Sequence, residues 1–439
     1  VTRGLIIAAP SSGSGKTSVT LGLLRLLAGR GFAVASAKVG PDYIDPAFHA
    51  SASGRPCFNL DSWAMRPQTV AGLAGRLAQG AELLICEGVM GLFDGAFVPV
   101  GQPDGSTADL ACLTGWPVVM VIDGRGMTGS AAAVLAGFAC LRPGVRVAGV
   151  VFNRVMGERH KAAIAEACRA ACPEVRLLGF LPPDPGLEIP SRHLGLVQAC
   201  ERTDLPAFLD GAAELVGRHL DLDGLMELAE PSCLAAGPPS PPLAPPGGRI
   251  AVASDAAFAF CYASVLEGWR DAGAEVMPFS PLADQAPDPS ADAVYLPGGY
   301  PELHAGRLAG NAGFLGGLRA AAARGAAVFG ECGGYMVLGR GLEDAKGERH
   351  AMAGLLGLET SFAKRKIHLG YRRARLLAAG PVGQAGQGFR GHEFHYATVL
   401  SEAGSPLFHI QDAAGTALGT CGLAAGPVAG SFIHLIDRT

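Results

Sequence analysis

Cys332 stands in the run Gly330-Glu331-Cys332-Gly333-Gly334-Tyr335, between a strand-like apolar stretch at Val328-Phe329 and a helix-like one at Met336-Val337-Leu338. A nucleophile on a sharp strand-to-helix turn needs small neighbours, because bulk would clash with a strained backbone. The helix that follows aims its positive end at the sulfur, which favours thiolate over thiol. The N–H of Gly333 is then placed for an oxyanion hole. A buried cysteine in a plain turn is the bland alternative, and with eleven cysteines in the chain most must be bland. The flanking glycines set Cys332 apart as a nucleophile. Farther along, Gly430-Ser431-Phe432-Ile433-His434 reads as a strand delivering one histidine, a general base for that thiol. Pro297-Gly298-Gly299 follows another short strand, and Gly299 offers a second oxyanion N–H, although a plain turn would read the same way.

A second set of residues suits phosphate. The run Pro10-Ser11-Ser12-Gly13-Ser14-Gly15-Lys16-Thr17 follows the buried-strand pattern Leu5 to Ala9 and precedes a helical pattern through Leu21, Leu24 and Leu27. Gly13, Ser14 and Gly15 let backbone N–H groups curl around an anion, Lys16 reaches the β- and γ-phosphates, and Thr17 offers a hydroxyl to Mg²⁺. The usual pattern, G-x-x-x-x-G-K-[ST], has a glycine where Pro10 stands. Glu87 ends the buried stretch Glu82 to Cys86, the place from which an acid reaches Mg²⁺ in this kind of fold, with Asp94 or Asp45 as assistants. The loop from Lys38 to Pro46 is dense in charge, and its Asp42 and Asp45, with Asp94, are candidates for presenting the substrate near the phosphates. Arg192 either holds an anionic substrate or caps the fold.

The elements that carry these residues alternate. Strand patterns at 5–9, 32–37, 82–87, 118–122, 147–152 and 177–181 are separated by helical patterns such as 130–141 and 159–171, and Asp123 and Asn153 end two of the strands. Regular alternation predicts a doubly wound, mostly parallel α/β sheet with ligands at the carboxyl ends of its strands. The proline-rich run 234–248 reads as a connector between a domain at 1–233 and another at 249–439. In the second, strands are expected at 249–253 and 294–296, helices at 258–272 and about 302–324, and a β-rich region over 355–399. His392 and His395 within it hint weakly at metal, since on a strand they face opposite sides. Lys+Arg 35 against Asp+Glu 39, with no basic block, argues against nucleic acid. No apolar run reaches the ~18 residues that span a bilayer, and no leader-like segment opens the sequence. Scattered single cysteines without C-x-x-C pairs suit a reducing cytoplasm rather than disulfides or structural zinc. A phosphate loop with a Cys/His pair suggests two linked steps, ammonia released from glutamine and a carboxylate activated by ATP.

Taken in order, the motifs Ala9 to Thr17, Lys38 to Asp45, Cys86 to Gly95, Phe152 to Val155, Leu296 to Leu303, the Cys332 turn and Gly430 to His434 resemble the cobyrinic acid a,c-diamide synthase family over nearly the whole chain. The resemblance implies an N-terminal domain like dethiobiotin synthetase and a C-terminal class I glutamine amidotransferase domain. It also implies ATP- and glutamine-dependent amidation of the a- and c-acetate side chains of a corrinoid in cobalamin synthesis, with Asn153 reading adenine and Lys38 helping to bind phosphate. A homodimer stays open. Class I amidotransferases generally complete their triad with a glutamate two residues after the histidine, and Ile436 stands there. The third triad member is therefore open. Family members take either hydrogenobyrinic acid or cobalt-bearing cobyrinic acid, and the Ala/Gly/Arg-rich composition leans to the cobalt-free corrin. The competing readings are a cobyric acid synthase or nickel-sirohydrochlorin diamide synthase, a P-loop switch ATPase, and a binding module with a dead glutaminase half.

Overall fold

The computed structural model describes residues 2–187, 191–192, 195–234 and 241–439. Two compact units divide the chain: Val1–Trp63, Val70–Ala96 and Gly101–Pro239 form one, and Ala64–Thr69, Phe97–Val100 and Ser240–Thr439 the other.

In the first unit, β1 (Arg3–Ala8), β2 (Val34–Val39), β3 (Cys57–Leu60), β4 (Leu83–Glu87), β5 (Val118–Asp123), β6 (Val147–Asn153) and β7 (Arg176–Phe180) form a parallel sheet in the order β3-β2-β4-β1-β5-β6-β7. Their near-continuous apolar runs fit burial on both faces; Leu5, Ile6 and Ile7 are fully buried. Helix α1 (Lys16–Gly29) follows β1 directly. The sequence reading stops at a charged loop after Lys38, whereas the chain forms helix α2 (Asp45–Ser53) there, followed by β3. Pro46 lies in the first turn of α2, where a missing N–H costs nothing. Asp42 Oδ1 accepts the N–H groups of Ile44 and Asp45 at 2.7 and 3.0 Å.

The second unit holds a ten-stranded sheet. Its strands are β8 (Arg249–Ala253), β9 (Glu275–Phe279), β10 (Ala293–Leu296), β11 (Ala327–Glu331), β12 (His368–Leu376), β13 (Gly388–His395), β14 (Ser405–Gln411), β15 (Ala417–Ala425), β16 (Val428–Ser431) and β17 (Ile433–Arg438). The order is β9-β8-β10-β11-β16-β15-β14-β12-β13-β17, parallel through β16 and antiparallel beyond. Two helices differ from the periodicity reading. The one expected from 258 begins at Ala263, because Phe260 N–H is drawn into a bridge to Gly298 O at 2.9 Å. The one expected over 302–324 breaks into Ala305–Gly310 and Ala312–Ala323 at Asn311, whose backbone leaves the helical region while its side chain donates to Pro281 O at 2.7 Å.

Residues 64–69 are tied into this unit by Arg66. Its Nε and Nη2 reach the Asp437 carboxylate at 2.8–3.1 Å, and its own N–H donates to the same group at 2.8 Å. Asp437 is fully buried. Removing one partner of such a pair strands the other's charge, so Arg66→Ala is expected to destabilise the full-length protein by about 3 kcal/mol. Urea unfolding measures this, and an unchanged midpoint would contradict it.

Candidate active site

The phosphate loop forms as its glycines require. Gly13 and Gly15 sit at φ of 80° and 99°, and position 10 is not left-handed, so the loop's bend does not depend on a glycine there. The ends of β5 and β6 clasp the loop. Asn153 Nδ2 donates to Ser14 O at 2.9 Å, and Arg154 donates to Gly13 O at 2.9 Å and to Asp123 at 2.7 Å. A side chain on Gly15 would collide with Asn153, 2.2 Å away. Gly15, Lys16, Thr17, Arg125, Asn153 and Arg154 are among the residues lining a cavity of about 410 Å³. Lys16 Nζ donates to Met90 O at 2.5 Å, and burial, helped by Lys38, brings its ammonium down to about 8.

Beneath the loop lies a buried polar network centred on Glu87. Thr17 Oγ1 donates to Glu87 Oε1 at 2.6 Å, Lys38 Nζ reaches the same oxygen at 3.0 Å, and His49 Nε2 lies 2.7 Å from Oε2. Lys38 also pairs with Asp45 at 2.5 Å. Burial would raise the Glu87 carboxyl, but Lys38, His49 and Thr17 outweigh it and hold the group well below the usual range. Burial likewise opposes charge on His49, but Cys57 and Glu87 hold the imidazole up at about 10. Lys38 and Asp45 thus face each other inside the unit, Asp42 caps α2, and Asp94 accepts the N–H of Gly91 at 2.8 Å. The Arg192 side chain lies outside the described residues, as does 235–240 of the expected connector. His49 and Arg154 are additions to the sequence reading; a histidine four residues after Asp45, past a proline at a helix start, is the signal that points to the first.

In the second unit β11 ends at Glu331, and Cys332 caps the helix Gly333–Leu338 with φ 47° and ψ −103°. That is a strained conformation for a residue with a side chain, of the kind that persists where surrounding structure enforces it. Cys332 N–H donates to Ser431 O at 2.8 Å, and a Cβ on Gly334 would lie 2.0 Å from Leu296 O, so the turn admits no bulk there. His434 enters from β17, where it faces His392 on β13. Cys332 Sγ lies 3.9 Å from Phe394 O, and the two candidate catalytic residues both border Gly298. A Cβ placed there would lie 2.3 Å from His434 Cε1, 3.0 Å from its Nε2 and 3.2 Å from Cys332 Cβ. Gly299 N lies 3.1 Å from the point a Cβ on Gly333 would occupy, so the two candidate oxyanion residues adjoin each other.

The electrostatics correct one expectation. The helix end was to favour the thiolate, but burial first, then Glu302, push the Cys332 thiol well up, and the Gly333 N–H only partly opposes them. Burial also lowers His434 to about 3, so thiol and imidazole are both neutral at rest and the proton must move as the sulfur attacks. Glu302 is nine-tenths buried, and neither carboxylate oxygen has a hydrogen-bond partner among the described residues. Burial brings it up to about 7. On β13, His395 groups with Glu393 and His368 rather than with His392, and Glu393 is already held by Arg372 at 2.7 Å and by His395 at 3.1 Å.

A phosphate-loop sheet and a Cys/His site on a strand-to-helix turn define a glutamine-dependent amidating ligase with two functional halves. Residues 5–197 match the CobQ/CobB/MinD/ParA nucleotide binding domain, and residues 249–438 match the CobB/CobQ-like glutamine amidotransferase domain. Proteins named hydrogenobyrinate a,c-diamide synthase are similar over almost their full length. The one from Rhodobacter capsulatus is 55% identical over 99% of this chain and 98% of its own. That from Rhizobium meliloti is 54% identical over 99% of both chains, and that from Brucella anthropi 52% over 99% and 98%. The chain belongs to the hydrogenobyrinate a,c-diamide synthase family.

Proposed function

We propose that this protein converts the a- and c-acetate carboxylates of hydrogenobyrinic acid to amides, using ATP and glutamine, as a step in cobalamin synthesis. The observation that carries the reading is the 52–55% identity to synthases of that name across 98–99% of their lengths. In the glutaminase half, the Cys332 sulfur attacks the side-chain amide carbon of glutamine while His434 Nε2 takes the thiol proton and passes it to the departing ammonia. Gly299 and Gly333 N–H groups steady the oxyanion. Water then cleaves the thioester, releasing glutamate and returning a proton to the sulfur.

In the synthetase half, the substrate carboxylate attacks the γ-phosphorus of ATP and ADP leaves. Ammonia then displaces phosphate from the acyl phosphate to give the amide. Loop N–H groups and Lys16 hold the phosphates, and Asn153 lines the same cavity for the adenine end. Thr17 and Glu87, a hydroxyl and an ionised carboxylate 2.6 Å apart, form the hard-oxygen pair that suits Mg²⁺, which would neutralise phosphoryl charge there. Lys38, His49 and Thr17 keep Glu87 charged and fixed, and Asp45 holds Lys38 from the other side. No described helix is long and apolar enough to cross a membrane. Scattered free cysteines suit the reducing cytoplasm, where we place the protein.

Glutamine carries an α-ammonium group, and Glu302 is the buried, unpartnered carboxylate beside the nucleophile that suits it. Pairing there would also relieve the charge that disfavours the thiolate. Glu302→Gln is expected to raise KM for glutamine by about tenfold, the scale of one charged hydrogen bond, while ammonium-driven amidation stays unchanged. An unaltered KM would remove Glu302 from glutamine recognition. The test of the function itself is a substrate panel of hydrogenobyrinic acid, cobyrinic acid and sirohydrochlorin, with amides counted by mass. Diamide from hydrogenobyrinic acid at the highest kcat/KM is expected, and preference for another member would overturn the assignment.

A further inference from the structure

Ile436 stands where an orienting carboxylate is expected, two residues after His434, and it is buried and apolar. Yet a neutral imidazole acts as a base at Nε2 only when its proton sits on Nδ1, and an acceptor at Nδ1 fixes that tautomer. The neighbourhood supplies one from another strand. Glu331, the residue before the nucleophile, is 2% exposed, and its Oε2 lies 3.8 Å from His434 Nδ1. The carboxylate is anchored on both sides. Oε1 accepts the N–H of Leu435, the residue after His434, at 2.9 Å, and Oε2 accepts the Tyr295 hydroxyl at 2.6 Å.

The ring's orientation agrees. Cε1 and Nε2 point to the space over Gly298 that borders Cys332, so Nδ1 is the nitrogen turned to Glu331. We propose that Glu331 is the positioning residue of the glutaminase, holding His434 with its proton on Nδ1 and stabilising the imidazolium that forms when the thiol proton is taken. A gap of 3.8 Å exceeds a hydrogen bond by less than about 1 Å, and such contacts tighten when substrate binds. Because Glu331 precedes Cys332 and grips Leu435, one side chain sets both base and nucleophile in register. Burial brings its carboxyl up to about 7, so it is ionised in mildly alkaline solution. The two anchoring bonds fall on different oxygens, and each oxygen keeps a second lone pair, so Oε2 can hold the Tyr295 hydroxyl and still accept from His434 Nδ1.

This inference rests on the Cys332/His434 glutaminase reading, and its test separates the two. Glutaminase is assayed at pH 8 in the full-length wild type, Cys332→Ala, Glu331→Gln and Tyr295→Phe, with ammonium-driven amidation as the check on the rest of the molecule. In Glu331→Gln the amide either accepts weakly at Nδ1 without charge or donates there and forces the wrong tautomer, so kcat is expected to fall by about 100-fold or more with KM within about threefold. Tyr295→Phe keeps the carboxylate and frees one of its anchors, for an expected loss of about threefold to tenfold in kcat. Nitrogen-15 NMR of His434 in wild-type protein needs no variant and is expected to show the Nδ1–H tautomer. An Nε2–H tautomer in the wild type, or a near-parental kcat in Glu331→Gln, would overturn the inference. Glutaminase surviving in Cys332→Ala would overturn the underlying reading instead.

Discussion

Cys332→Ala is expected to lose all glutamine-driven amidation and to keep ammonium-driven amidation at the parental rate. The thiol supplies the only step in which carbon–nitrogen bond cleavage in glutamine begins, so its loss removes the ammonia source and nothing downstream. The expected fall in glutaminase kcat is at least about 10⁴-fold, the scale on which removing a covalent nucleophile acts. The substitution is also structurally mild. Cys332 is buried at a strained turn held by Gly330, Gly333 and Gly334 and by the Ser431 carbonyl, and alanine keeps the Cβ that the turn already accommodates. Equal loss with both nitrogen donors would mean that Cys332 serves the fold or the other reaction, contradicting the assignment.

Lys16→Ala is expected to produce the mirror image: glutaminase retained, amidation lost with glutamine and ammonium alike. Lys16 acts on the transferring phosphoryl group before nitrogen matters, so its loss is expected to cost about 10²-fold or more in kcat. Its partner among the described contacts is the Met90 carbonyl, so truncation leaves no buried charge stranded. Glu87→Gln is expected to give the same pattern with a stability cost, because it removes the anion between Lys38 and His49. Lower melting temperature in Glu87→Gln but not in Lys16→Ala separates the two effects. Parental ammonium-driven rates in Lys16→Ala would remove the phosphate loop from the mechanism.

Local patterns make much of this legible in the amino-acid sequence. A glycine-bearing loop between a buried strand and a helix, and a cysteine between glycines at the same kind of junction, are legible because each needs its neighbours in sequence. The parallel sheet follows from strand and helix periods that alternate. What escaped the reading depends on residues distant in sequence. His49 matters only because α2 brings it to Glu87, and α2 itself hid behind the charges of Asp42 and Asp45, which proved to be a cap and a buried ion pair. The helix start after Cys332 favours a thiolate locally, but Glu302 and Glu393, which come from other elements, oppose it. Glu331 stood in plain sight beside the nucleophile, yet its use depends on β17 lying against β11, which no spacing in the sequence encodes.

In this mechanism one chain frees ammonia from glutamine at Cys332 and delivers it to two corrin carboxylates activated at Lys16. Amidation of hydrogenobyrinic acid with amide-¹⁵N glutamine and unlabelled ammonium present together, the product read by mass spectrometry, tests it most directly. The expected result is ¹⁵N in both new amides from the wild type, unlabelled diamide from Cys332→Ala, and amide formation slowed about 10²-fold or more in Lys16→Ala; labelled product from Cys332→Ala, or amidation at the parental rate in Lys16→Ala, would contradict the mechanism.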